Sequence, residues 1–164
     1  MLPVRRFDAI LFDLNGTLAE GYDRFGPGED YHATYRDLGG RELSAAALRD
    51  RIEALLRHPG FTLRNPNKVR AVLGVFAMSN PTAFHAADGS GYRLLADQVI
   101  ALDALNPQVA ARIVGAFNPW TRHDAARRDL MKSQLQRIAA APGLSGDVAE
   151  IVENALGMER LGAA

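Results

Sequence analysis

The 164-residue chain has no cysteine, which excludes disulfides, thiolate nucleophiles and cysteine-based zinc or iron–sulfur sites together. It has no net charge either, with nineteen Lys+Arg against nineteen Asp+Glu. No general pull toward nucleic acid or anionic membrane follows from such a balance. No run of about 18 apolar residues exists to span a bilayer, and Asp8 and Asp13 interrupt any signal-peptide core near the N-terminus. A cytoplasmic protein is the expectation. Lysine is scarce, only Lys68 and Lys132. What is present is ordinary for a globular protein: 48% hydrophobic and 23% charged residues, in a length that can bury about 70% of the unfolded chain's surface.

The order of signals along the chain is uneven. Ala9-Ile10-Leu11-Phe12 is a short apolar run followed by Asn15-Gly16-Thr17, which reads as a buried strand ending in a turn. Residues 19–40 are glycine-rich and without clear period. From Ser44 the pattern becomes helical, with Leu48, Ile52, Leu55 and Leu56 on one face and a stop at His58-Pro59-Gly60.

Beyond this point Asn-Pro recurs four times, at Asn65-Pro66, Asn80-Pro81, Asn106-Pro107 and Asn118-Pro119. Asparagine can accept from the first free amides of a helix and proline fits its first position, so four helix starts are predicted. Val69, Val72, Leu73 and Phe76 make a stripe after the first. A helix over Tyr92–Leu105 presents Leu95, Val99 and Leu102, and a short one after Pro107 presents Val109, Ile113 and Val114. A long helix is predicted over about Thr121–Ala141, with Leu130, Leu135 and Ile138 inward and Arg122, Arg127, Arg128 and Arg137 largely outward. Pro142-Gly143 ends it. Ser145 caps a last helix through Val148, Ile151, Val152 and Leu156, closed at Gly157. No strand-like alternation survives past residue 64. The expected fold is mainly α: an irregular antiparallel helix array, superhelical and ARM-like, with a short strand–turn segment in front. The expected division is 1–50 and 51–164.

Two resemblances give these elements a context. Asp13-Leu14-Asn15-Gly16-Thr17-Leu18 after an apolar strand resembles the first motif of the haloacid-dehalogenase superfamily. That resemblance implies Asp13 as nucleophile and magnesium ligand in a magnesium-dependent phosphohydrolase. Asn15 departs from the carboxylate usual in the family's phosphatases, and an amide cannot serve as general acid or base. The family's second-strand Ser or Thr, its lysine and its further acidic pair are missing.

The longer resemblance rests on three blocks. They are His58-Pro59-Gly60-Phe61-Thr62-Leu63-Arg64-Asn65-Pro66-Asn67-Lys68-Val69-Arg70, then Asn80-Pro81-Thr82-Ala83-Phe84-His85-Ala86-Ala87-Asp88-Gly89-Ser90-Gly91-Tyr92, then Asn106-Pro107-Gln108-Val109-Ala110-Ala111-Arg112. In this order they resemble the C-terminal helical domain of the bacterial aminopeptidase N family of gluzincin zinc peptidases, over about residues 52–158. That domain caps the catalytic domain and lines the peptide channel. The family's zinc motif H-E-x-x-H is absent, since none of His32, His58, His85 and His123 is followed by glutamate or has a histidine four residues on. The exopeptidase motif G-A-M-E-N is absent too. The resemblance therefore implies a non-catalytic helical domain that binds no zinc itself. It places Arg70, Gln108 and Arg112 toward bound peptide, where guanidinium suits a carboxylate.

Partners implied are a peptide or a catalytic domain in trans, and self-association is expected from helices built to pack on a larger body. The join of two unlike segments suggests a fragment or fusion. A peptide- or protein-binding helical module is the other alternative. His85 with Asp88 reads as a loop hydrogen-bond pair, Asp88-Gly89-Ser90-Gly91 as a turn, Arg127-Arg128 as a solvated face and Trp120 as a packing residue.

Overall fold

A computed structural model of the chain describes residues 44–162, with side chains up to Gly157. The strand–turn segment, Asp13 and His32 lie outside those residues. All regular elements among the described residues are helices, as the sequence periods predict. They are α1 Ala45–Arg57, α2 Pro66–Val69, a π-helical turn Arg70–Gly74, α3 Val75–Ser79, α4 Pro81–Phe84, α5 Ser90–Asp103, α6 Pro107–Val114, a 3₁₀ helix Gly115–Arg122, α7 Ala125–Ala139 and α8 Gly146–Gly162.

Local chemistry sets most of the starts. The Ser44 hydroxyl accepts from the Ala47 amide and caps α1, which runs unbroken across position 50. Asn65 accepts from the Asn67 and Lys68 amides, and Asn106 from that of Val109, each ahead of a first-turn proline. A cap of this kind is worth about 1 kcal/mol. Asn80-Pro81 begins α4 differently: no side chain caps it, and the Asn80 amide donates back to the Val75 carbonyl. Asn118-Pro119 starts no helix at all and lies inside the 3₁₀ stretch. The preceding turn is already helical, so Asn118 has no free amides to cap. Pro119 cannot continue an α-helical hydrogen-bond ladder, and its backbone departs from helical angles (φ −81°, ψ 15°).

Two predicted boundaries move for similar reasons. The long helix begins at Ala125 rather than Thr121, because His123 is extended and the Asp124 carboxylate accepts from the Arg127 amide at 3.0 Å. Its core stripe is Met131, Leu135 and Ile138, at i, i+4 and i+7, while Leu130 is only half-buried. The last helix does not stop at Gly157 but continues to Gly162. Glycine ends a helix by turning left-handed, and among the described glycines only Gly89 and Gly143 do so. Gly143 terminates α7 as expected. The stripe after Pro66 is one continuous helical run whose middle widens into the π-turn, burying Val69, Leu73 and Phe76.

The core is continuous from Ile52 to Ala155. α5 sits at its centre, with Leu95, Val99 and Leu102 fully buried, packed against α6 and α7; α8 covers α6 and α7. α1 lies against α4 and the π-turn, which in turn meets α6. Phe84 anchors the centre, with ring centroids 5.2 Å from Tyr92, 5.8 Å from Phe76 and 6.0 Å from Phe117. Close approach of α4 to α5 requires a glycine. A Cβ at Gly91 would lie 2.4 Å from the Phe84 carbonyl oxygen and 2.8 Å from the Ala83 oxygen and the Phe84 Cα.

Candidate functional site

One polar cluster of the described residues lies where the end of α4 meets the start of α7, beside Tyr92 of α5. A cavity of about 580 Å³ is lined by Ala45, Pro81, Thr82, His85, Ala86, Ala87, His123, Asp124 and Arg127. His85 ends α4, and its Nδ1 lies 2.8 Å from the Tyr92 hydroxyl on α5. The His123 ring stacks on it at 4.3 Å between centroids, tilted by 36°. Arg127 reaches across from the first turn of α7, donating its Nε to the His85 carbonyl at 2.9 Å while its Nη1 pairs with Asp124 at 2.7 Å. Arg127 is therefore not part of a merely solvated face; it ties α7 to the end of α4. The expected His85–Asp88 pair does not form, because Asp88 accepts from both the amide and the hydroxyl of Ser90 at the start of α5.

Burial holds the His85 imidazole below its ordinary 6.5, and the neighbouring His123 and Arg127 charges act in the same direction. Burial pushes the Tyr92 phenol up to about 12, so it keeps its proton and can donate to a neutral His85. Below pH 6.5 the unfolded chain takes up a proton that folded His85 resists, so the unfolded state binds more protons and stability drops as the pH is lowered. Thermal melts should hold level above pH 7 and decline from about pH 6.5 toward 5, and His85→Asn, which keeps a partner for Tyr92, should flatten that decline. An identical acid limb in parent and variant would remove His85 as its source.

Arg70, Gln108 and Arg112 are all exposed, and none lines this cavity. Arg70 is the first residue of the π-turn and donates to Asn67 Oδ1 at 2.6 Å. Gln108 and Arg112 stand one turn apart on α6. His58 accepts the Gly60 amide at 2.9 Å and stays in its loop. Among the described residues no three His, Asp or Glu side chains gather in a metal-binding group, so they do not fit a zinc ion. The magnesium role read for Asp13 lies outside the described residues.

The sequence reading missed Asp103. Its carboxylate is 4% exposed and accepts from the Ser145 amide at 2.8 Å and from the Ser145 hydroxyl. Ser145 also accepts from the Val148 amide, so the predicted cap exists and is itself held by α5. The available signal was the position of Asp103 four residues after Val99, an acid in the register of a buried face. Trp120 is buried as predicted, and its Nε1 donates to the Ala155 carbonyl at 3.0 Å.

The same stretch of chain has close relatives. Aminopeptidase N of Caulobacter vibrioides is 45% identical over 118 residues, covering 72% of this chain and 14% of that protein. Aminopeptidase N of Escherichia coli is 42% identical over 112 residues, covering 68% of this chain and 13% of the relative. The crystal structure of Legionella pneumophila aminopeptidase A in complex with aspartic acid superposes with a TM-score of 0.63 at 39% identity, over 66% of this chain and 13% of that one. The chain thus spans about one seventh of the length of the curated relatives it matches. Residues 43–157 match the family described as "Domain of unknown function (DUF3458_C) ARM repeats". With 115 of 164 residues inside that match, the chain belongs to the DUF3458_C family of ARM-repeat domains, the helical C-terminal domain of aminopeptidase N.

Proposed function

We propose that the helical body of this chain closes over the catalytic domain of a zinc aminopeptidase of the N type and forms a wall of its peptide channel. The observation that carries the reading is the 45% identity to a stretch making up 14% of the Caulobacter aminopeptidase N. On this reading the zinc and the peptide-cleaving groups belong to the catalytic domain, and Arg70, Gln108 and Arg112 meet the backbone or carboxylate of bound peptide. A cytoplasmic site of action belongs to the same reading, in keeping with the lack, among the described residues, of any helix long and apolar enough to cross a membrane. Exposed Val75, Met78 and Leu105 favour self-association when no catalytic domain covers the array.

The test uses the Caulobacter enzyme made without its matching 118-residue region. The truncated enzyme alone should hydrolyse alanine p-nitroanilide poorly, the present chain alone not at all, and their mixture well above the sum of the two. Hydrolysis by the present chain alone would overturn the reading, and so would a mixture that neither associates nor gains activity.

A further inference from the structure

The cavity at the end of α4 has no part in the channel-wall reading, and its hydrogen-bonding capacity is lopsided. Its one carboxylate is committed: the Asp124 oxygens accept from the amide and the Nη1 of Arg127. The Arg127 Nε is spent on the His85 carbonyl, which leaves Nη2 without an acceptor among the described residues. Tyr92 keeps its proton and donates it to His85 Nδ1, so a neutral His85 carries its hydrogen on Nε2. Neither that nitrogen nor the ring nitrogens of His123 have a hydrogen-bond partner among the described residues. Thr82 adds a hydroxyl, and Ala45, Pro81, Ala86 and Ala87 make the remaining wall compact and apolar. The surplus is one of donors, and two of them become cationic below neutrality. A larger groove of about 770 Å³ between α1 and α5 shows the contrast, because its charges satisfy one another. There Arg49 pairs with Glu53 and Asp88, Arg57 with Glu53, and Asp97 with Arg137.

We infer that this cavity binds a small oxyanion, the phosphate or carboxylate head of a compact organic molecule, on Arg127, His85 and His123. Guanidinium suits such a head through charge-assisted hydrogen bonds, and each protonated imidazole adds an N–H and a charge. At about 580 Å³ the cavity falls within the roughly 300–1,000 Å³ of small-molecule sites. The groups that face His85 are Tyr92 from α5, His123 and Asp124 from the segment before α7, and Arg127 from α7. Asp124 alone among them is negative, and Arg127 matches its charge. Protons added to the two stacked rings therefore repel each other until an anion arrives, so binding strengthens as the pH falls and takes up protons. A metal cation is the poorer fit, with a guanidinium at hand and no group of three ligating side chains among the described residues.

The test follows the histidine ring protons of the full chain by NMR during titration with sodium sulfate or sodium benzoate. Both anions keep their charge between pH 6 and pH 8, so any pH dependence belongs to the protein. Sodium chloride at equal ionic strength is the comparator. The His85 and His123 signals should shift and saturate at pH 6, with affinity about tenfold weaker at pH 8, and chloride should produce no saturable shift. His123→Leu keeps bulk over His85 and removes the ring nitrogens; it should weaken binding at pH 6 about tenfold, the worth of one charge-assisted hydrogen bond. His58→Asn, in a loop outside the cavity, should leave the affinity unchanged. Tighter binding of sulfate assigns a phosphate-like head and tighter binding of benzoate a carboxylate, and either supports the site. No saturable shift with either anion, the same shifts with chloride, equal affinity at the two pH values, or full affinity in His123→Leu would each overturn the inference.

Discussion

Gly91→Ala is expected to destabilise the helical body by about 3 kcal/mol or more, at the upper end of what overpacking costs. The added methyl would stand 2.4 Å from the Phe84 carbonyl oxygen and 2.8 Å from the Ala83 oxygen and the Phe84 Cα. These are backbone atoms, so no rotamer change relieves the clash. Either α4 must move off α5, separating Phe84 from Tyr92, Phe76 and Phe117, or the first turn of α5 must unwind. Thermal unfolding followed by far-ultraviolet circular dichroism should show a melting temperature lower by roughly 10 °C. Gly157→Ala is the matched control. Nothing lies within 4 Å of a Cβ there and the residue is inside α8, so alanine should gain about 0.5–1 kcal/mol from helix propensity alone. Equal melting temperatures for Gly91→Ala and the parent would mean that the close approach of α4 to α5 is absent in solution.

Asp103→Ala should cost about 3 kcal/mol. The carboxylate is buried and accepts two hydrogen bonds from Ser145, and bonds to a charged acceptor are worth about 1.5–3 kcal/mol each before relaxation. Its loss strands the Ser145 amide and frees the cap of α8 from α5. Ser145→Ala, which keeps the backbone amide on Asp103, should lose about half as much. Asp103→Asn should fall between, because one amide oxygen replaces two carboxylate oxygens. Denaturant titrations of the three variants order them, and a neutral Asp103→Ala would show that the carboxylate leaves the interface for water at no cost.

The helical class, the caps at Asn65, Asn106 and Ser145 and the buried stripes of α5 and α6 were legible because each depends on neighbours within one or two turns. Asn-Pro reads as a helix start by the same local logic, and it failed at Asn118, where the chain was already helical when the motif arrived. Gly157 failed for the converse reason: a glycine stops a helix only if its backbone turns left-handed, and the residues around it decide that. The site was less legible. Nothing local brings His123 onto His85 or carries the Arg127 guanidinium to the His85 carbonyl, 42 residues away in sequence. Asp103 had a signal of its own, an acid in an apolar register, which the periodicity of Leu95, Val99 and Leu102 concealed.

One further consequence attaches to the indole of Trp120. It is the sole tryptophan of the chain, it is almost fully shielded from water, and its N–H is engaged by the backbone of α8. Light emitted by this protein on excitation of tryptophan therefore comes from one joint, where the 3₁₀ turn meets the last helix. The molecule carries its own optical gauge of whether α8 is seated, with no label required.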